Sequence, residues 1–286
     1  MKIGGHCVLF GPEVATNTAE VFGRLAYAGA QGCELGQRFF GTENRAALEK
    51  ALAETHMELA GMHANNLKLP DLLHAPEKAE KALMEVGELV ATLPNKNIIA
   101  TGGVGDMEAI RGRTLGQGAP EAELHDPAAV RELARTLNEI VEKVRQKTGA
   151  QVHYHNHSWE FADDGLIFKT LAEEAPELCF ALDTGWAMVS GFDPVELMDA
   201  LPGRIHYVHL RDLKRSQAPE KLVFTQAHEG FVDLGTGDMD YPRLMRCLNR
   251  HLGEKDWAIV EYEKGNFDQH SYGKAISYVR GCRDMM

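Results

Sequence analysis

The strongest constraint on this chain is a rhythm. Short apolar runs alternate with longer segments of helical period, and the alternation can be counted eight times. The runs are "KIGGHCVLF" (2–10), "GCELG" (32–36), "ELAGMHA" (58–64), "KNIIATG" (96–102), "QVHYHNH" (151–157), "LCFALDTG" (178–185), "RIHYVHL" (204–210) and "DWAIVEYE" (256–263). Helices are expected between them, at 43–55, 76–92, 127–147, 240–252 and 270–281 among others. Asp126 before Pro127 and Asp240 before Tyr241 and Pro242 read as helix starts. Strand then helix, eight times over, predicts an α/β fold, a single (β/α)8 TIM barrel, and 286 residues suit a barrel of about 250 residues with extended loops. No Gly/Ser/Pro-rich linker divides the chain, so residues 1–286 are expected to form one domain.

Composition narrows the partners. With 44% hydrophobic and 25% charged residues the chain can bury a large core. Its net charge of -12 repels a polyanion, which argues against a nucleic-acid partner. Five scattered cysteines without a CxxC pair suit a reducing cytosol, and no apolar run reaches transmembrane length. The expectation is a cytoplasmic protein with no membrane partner.

In a (β/α)8 barrel the active site assembles at the carboxyl ends of the strands. Glu34, His63, the His155/His157/Glu160 cluster, Asp183, His209 and Glu261 fall at such ends. Alternation puts His153, His155 and His157 on one face. It also stacks Tyr207 and Ile205 below His209, and Ile259 and Trp257 below Glu261. A lone strand-end carboxylate is more often a cap or an ion-pair partner; the same chemistry on four strands reverses that balance. An acidic side chain closing an apolar run, such as Asp183 or Glu261, is costly to bury without a cation or donor. Two carboxylates, an imidazole and a ligand from the fifth strand make a mixed N/O site suited to Mn²⁺, Co²⁺, Mg²⁺ or Zn²⁺.

Other features read less sharply. His153 and His206 look like core or supporting histidines, His6 could donate to the site, and His228 and His270 sit in loops. "VDLGTGDMDY" (232–241) lacks the GxGxxG spacing of a dinucleotide loop and reads as shaping the connection before the last helices. "GGVG" (102–105) either cradles an anion or lets the chain turn. The irregular stretch 102–125 is expected to hang over the carboxyl end of the barrel.

The motifs "YHNHSWEF", "LDTGWA", "HYVHLRDLK", "VDLGTGDMDY" and "IVEYE" resemble, in order and spacing, the xylose isomerase-like TIM-barrel superfamily in its sugar phosphate isomerase/epimerase branch. The branch includes ketose 3-epimerases, hydroxypyruvate isomerases and inosose dehydratases, and is more distantly similar to endonuclease IV. The resemblance implies a divalent metal held by groups from strands five to eight, with Asp183, His209 and Glu261 matching the last three. Where the epimerases carry a glutamate on strand five this chain has His155-Asn156-His157; Glu160 is taken as the ligand, with His155 the competing choice. The implied activity is metal-dependent isomerisation or epimerisation of a small carbohydrate, through proton abstraction beside a carbonyl and an enediolate. Glu160 and Glu261 would be the acid/base pair, with His155 or His157 as a second proton-transfer group. A histidine acid protonating a departing hydroxyl would instead give a lyase or dehydratase acting on a keto-inositol or 3-keto-glycoside. Trp186 stands where the epimerases place a substrate-contacting histidine. Arg211 and Lys214 could meet a hydroxyl or phosphate, Asp212 could orient His209, and Glu34 and His63 could hydrogen-bond substrate. The exposed barrel helices could support a homo-oligomer. A nuclease and a non-catalytic sugar-binding barrel are the remaining alternatives.

Overall fold

The computed structural model describes residues 1–41, 44–217, 229–262 and 269–285. Eight parallel strands close into a barrel: β1 (Lys2–His6), β2 (Gly32–Gly36), β3 (Glu58–Ala64), β4 (Asn97–Thr101), β5 (Gln151–His155), β6 (Cys179–Asp183), β7 (Ile205–Leu210) and β10 (Trp257–Val260). Between the last two, β8 (Asp212–Leu213) and β9 (Phe231–Val232) form a small antiparallel ribbon at the rim. Each barrel strand is followed by a packing helix: α1 (Thr18–Tyr27), α2 (Arg45–Thr55), α3 (Pro76–Val90), α4 (Pro127–Thr148), α5 (Ala162–Glu174), α6 (Pro194–Ala200), α7 (Tyr241–His251) and α8 (Gln269–Asp284). The chain is therefore a single (β/α)8 TIM barrel. No described helix is long and apolar enough to cross a membrane.

Helix α4 shows how local sequence sets an element. The Asp126 side chain accepts the Ala128 N–H at 2.9 Å, and Pro127, which has no N–H to orphan, takes the first helical position. Val130, Leu133, Ala134, Leu137, Ile140, Val141 and Val144 then recur at helical spacing and are all buried. Gly149, at φ +70°, ends the helix in the left-handed region. Asp240 caps α7 in the same manner, accepting the Arg243 N–H at 2.9 Å.

The lumen is filled by inward side chains whose sizes complement one another. Ala60, Ile99, Ala181, Tyr207, Trp257 and Ile259 form a closed apolar cluster there. Large rings from β7 and β10 reach across to the glycine-bearing first strands. A Cβ on Gly32 would lie 2.5 Å from the Trp257 ring, so that position must be glycine for the barrel to close around the indole. Two bulges adjust the phase. One, between Cys33 and Glu34, shifts the β2/β3 register so that Glu34 pairs with Gly61 and Gly36 with His63. The other, between Phe180 and Ala181, lets β7 slip by one residue. That slip corrects simple alternation: Tyr207 faces the lumen as expected, whereas Ile205 joins the core between barrel and helices.

Six strands are shorter than their apolar runs, β1 and β5 among them. β1 stops at His6 and a 3-10 turn, Val8–Phe10, follows; β5 stops at His155, where the Asn156 side chain leaves the ladder to bridge β6. Asn156 accepts the Asp183 N–H at 2.9 Å and donates to the Asp183 carbonyl at 3.2 Å.

The "VDLGTGDMDY" segment wraps one buried carboxylate. Asp212 accepts the backbone N–H groups of Leu213, Gly235, Gly237 and Met239 at 2.9–3.1 Å. A Cβ on Gly237 would strike Asp212 Oδ1, and Gly235 sits at φ +84°. Both glycines therefore serve the approach of backbone to carboxylate, not an anion site. Asp212→Ala is expected to destabilise the protein by about 2–4 kcal/mol, since charge-assisted hydrogen bonds contribute most and several are lost together. A urea midpoint checks this, with Asp212→Asn recovering part of the loss.

Candidate active site at the barrel mouth

Every barrel strand delivers one polar side chain inward at or just beyond its carboxyl end: His6, Glu34, His63, Thr101, His155, Asp183, His209 and Glu261, in chain order. They surround a cavity of about 220 Å³ lined by His6, His63, Thr101, His155, His157 and Glu261, with Arg38, Phe39 and Asn65 at its edge. That volume suits a small molecule and not a polymer.

Glu34 is the hub. Its Oε2 accepts from the Tyr207 hydroxyl and from His209 Nε2, the latter at 2.8 Å, and its Oε1 faces His6 Nε2 at 3.2 Å and touches His63 Nε2. Burial would raise the Glu34 pKa, yet the His209, His63 and His6 charges outweigh it and hold the carboxyl well below its usual range. Glu34 is completely enclosed. The expected substrate contact therefore becomes a post that orients histidines, while His63 does line the cavity and shares its Nδ1 with the Thr101 hydroxyl at 3.1 Å.

His209 is held between two carboxylates. A carboxylate can only accept, so Nε2 carries a proton toward Glu34, while Nδ1 faces Glu261 Oε2 at 3.0 Å on the mouth side. Burial lowers the His209 pKa, but Glu34 and Glu261 outweigh it and raise it to about 10, so a cation at Nδ1 would displace a proton. The orienting carboxylate expected from sequence, Asp212, is engaged with backbone instead.

Arg211 bridges two acids. Its Nε donates to Asp183 Oδ2 at 2.8 Å and its Nη2 lies 2.7 Å from Glu261 Oε1. Burial pushes the Asp183 carboxyl up despite Arg211, whereas Glu261 is held down because Arg211, His6 and His209 together outweigh its burial. Asp183 Oδ1 also accepts the Trp186 N–H at 2.8 Å. Arg211 is 3% exposed and lies over the Phe231 ring at 5.1 Å, so it acts on the acids from behind the cavity. Lys214 turns outward to Asp238 at 2.7 Å.

The donor set fits a cation. His155, Asp183 and His209 each offer a ligand atom within 4.8 Å of the others, and His6, Glu34 and His63 do likewise on strands across the barrel. Among the described residues, His155 Nδ1 is buried without a hydrogen-bond partner, its ring 4.5 Å from that of His209, whose Nδ1 pairs with Glu261 Oε2 at 3.0 Å. An orphaned buried nitrogen beside converging carboxylates is a donor set that a cation would satisfy. Burial, reinforced by His209, His157 and His63, pushes the His155 pKa well below its ordinary value, so its ring is neutral and can ligate.

Glu160, the first choice for the fifth-strand ligand and an expected acid/base group, does not join either group. It lies on the 3-10 turn Trp159–Phe161, past the end of β5, where strand alternation no longer sets its direction. Its Oε1 accepts the Tyr154 hydroxyl at 2.8 Å and its Oε2 the His157 N–H at 2.8 Å. Tyr154 belongs to the core between barrel and helices, one residue out of phase with His155. Burial pushes the Glu160 carboxyl up to about 8, even though these donors pull the other way.

His157 lines the cavity from the loop, its ring stacked on Trp159 at 4.4 Å. Trp186, expected at a substrate-contacting position, is 1% exposed and packs with Val189 and Leu213 against Leu115 of the long β4–α4 connection, which does reach this end of the barrel. At the "GGVG" turn a Cβ on Gly102 would collide with the Tyr154 hydroxyl, so close approach explains it. His153 contacts Asn97 Oδ1 at 3.1 Å deep in the lumen, and His206 pairs with Asp256 at 3.2 Å on the outside. His228 and the side chain of His270 lie outside the described residues. Sequence reasoning missed Asn65 and Thr101, although each stands at a strand end next to a residue it had singled out or on a counted run.

A profile described as xylose isomerase-like TIM barrel matches residues 22–282. Inosose dehydratase of Clostridium tetani is 26% identical over 263 residues, spanning 88% of this chain and 85% of its own. The structure of 3-keto-D-glucoside 4-epimerase from E. coli superimposes with a TM-score of 0.73 at 16% identity, covering 99% of this chain and 100% of that one. A sugar phosphate isomerase/epimerase from Parabacteroides distasonis does so with a TM-score of 0.70 at 16% identity, covering 97% of each. With a profile matched over residues 22–282, on an eight-stranded barrel, this chain belongs to the xylose isomerase-like TIM barrel family.

Proposed function

We propose that this protein is a divalent-metal-dependent dehydratase of a small keto-carbohydrate, removing a proton beside the carbonyl and expelling a hydroxyl as water. The observation that carries the reading is the cavity's titratable lining: four imidazoles, His6, His63, His155 and His157, and one carboxylate, Glu261, among the described residues. Elimination needs a base on carbon and an acid on the departing oxygen, and an imidazole suits the second role near neutral pH. The resemblance to inosose dehydratases across most of the chain supports the same choice.

His155, Asp183 and His209, with Glu261 beside them, would hold the cation, which when bound supplies polarisation of the substrate carbonyl. Glu261 is ionised and faces the cavity, so it takes the proton on the carbon next to the carbonyl. His157 gives its proton to the hydroxyl one carbon further on. The C–H electron pair becomes the new double bond, the C–O bond breaks, and one water leaves; Glu261 then releases its proton to solvent and His157 takes one up. Glu34 keeps His209 in its ligating tautomer, and Arg211 holds Asp183 and Glu261 in register.

Epimerisation is the second reading, favoured by the fold shared with 3-keto-D-glucoside 4-epimerase. Incubating the metal-loaded protein with keto-inositols and 3-keto-glucosides in deuterated water separates the two. Product lighter by one water supports dehydration, and deuterium uptake at unchanged composition supports epimerisation. Neither, across Mn²⁺, Co²⁺, Mg²⁺ and Zn²⁺, would overturn both.

A further inference from the structure

Outside the barrel mouth, one more set of ligating side chains converges among the described residues. Cys247 and His251 are four residues apart on α7, which places them on one helix face, and Asp199 faces them from α6. His251 Nε2 lies 2.8 Å and Cys247 Sγ 3.7 Å from Asp199 Oδ1. All three ligand atoms fall within 4.8 Å of one another. A second sulfur, Met198 Sδ, stands 4.0 Å from the thiol.

We propose that Asp199, Cys247 and His251 form a second metal site, for Zn²⁺ or a similarly thiophilic divalent cation, that clamps α6 to α7. One thiolate, one imidazole and one carboxylate is a donor set zinc accepts, and the 3.7 Å sulfur–carboxylate separation is that of ligands around a tetrahedral ion of this size, while the 2.8 Å His251–Asp199 contact is a hydrogen bond that must widen to about 3.3 Å when the ion enters. The sulfur donors distinguish it from the N/O groups of the barrel mouth. The thiol is enclosed while Asp199 and the His251 ring reach solvent, so an ion enters past the carboxylate and meets sulfur last. Binding replaces the Cys247 proton, which leaves to solvent, and requires His251 to carry its proton on Nδ1. Arg250 Nη2 shares Asp199 at 2.9 Å and must give way; its side chain is 58% exposed and free to swing.

The test is a Co²⁺ titration of the reduced, full-length protein, followed by thiolate-to-cobalt charge-transfer absorption. The band is expected in the wild type and in Asp183→Asn, and absent in Cys247→Ser. Because losing a group that merely orients a ligand already costs about 10–100-fold in metal affinity, His251→Ala, at a partly exposed helix end that tolerates truncation, is expected to weaken zinc binding at least as much. Cys7 also lies near imidazoles, in the cavity wall. A band that survives Cys247→Ser therefore overturns the proposal and moves the thiolate ligand to Cys7. No band at saturating cobalt also overturns it. The second failure leaves the barrel-mouth reading untouched, whereas the first would add a thiolate to the barrel-mouth donors.

Discussion

Glu261→Gln is expected to lower turnover by about 10²–10⁴-fold, the range attributable to a positioned acid or base. The substitution keeps the shape and leaves Arg211 its bond to Asp183, so the fold should persist. What it removes is the one carboxylate, among the described residues, that is both ionised and open to the cavity. Loss of substrate-proton exchange with solvent, together with an unchanged circular dichroism spectrum, would assign the defect to proton transfer. Turnover within a few fold of wild type would move the base to one of the facing imidazoles.

His155→Ala and Glu160→Gln should then behave as opposites. Removing His155 takes away a neutral, buried donor that faces Asp183 and His209, and bound metal measured by mass spectrometry is expected to fall by roughly 100-fold or more in affinity. Glu160→Gln should keep its metal and instead change how stability depends on pH. In the folded chain Glu160 holds its proton up to about pH 8, against an ordinary carboxyl value of 4.5. Between those values the folded state binds more protons than the unfolded state, so Glu160's contribution is full below about pH 4.5 and is lost as pH rises toward 8. The limiting slope is about 1.4 kcal/mol per pH unit. Glu160→Gln should flatten that decline in urea midpoints measured from pH 5 to 8. A variant that loses its metal and keeps the wild-type pH profile would return Glu160 to the ligand set.

The barrel was legible because its signal is repeated. Eight apolar runs, each of strand length, and helices opening on Asp126-Pro127 or Asp240-Tyr241-Pro242, express local rules that need no knowledge of distant contacts. Strand ends were legible for the same reason: Glu34, His63, His155, Asp183, His209 and Glu261 all sit at the carboxyl end of their strands. Sequence also excluded a dinucleotide fingerprint at residues 232–241, where the glycines prove to fold around Asp212.

Direction and partnership required the tertiary structure. Glu160 is five residues from His155, yet a 3-10 turn aims it at Tyr154 on the helix side, and no periodicity predicts the phase of a turn. Bulges at β2/β3 and β6/β7 shift the inward sets of β3 and β7 by one residue, which alternation alone misassigns at Ile205. Glu34 and Asp212 look alike in sequence, each an acid near a strand end. Only closure of the barrel brings Glu34 against histidines 28 to 175 residues away, and only the return of the 232–241 segment gives Asp212 its backbone donors. Sequence by itself determined the strands and most of the polar side chains at their ends, because strand periodicity is local. Which of them face each other was decided by long-range closure, because the energy of a buried charge is set by its partners and not by its neighbours in the chain.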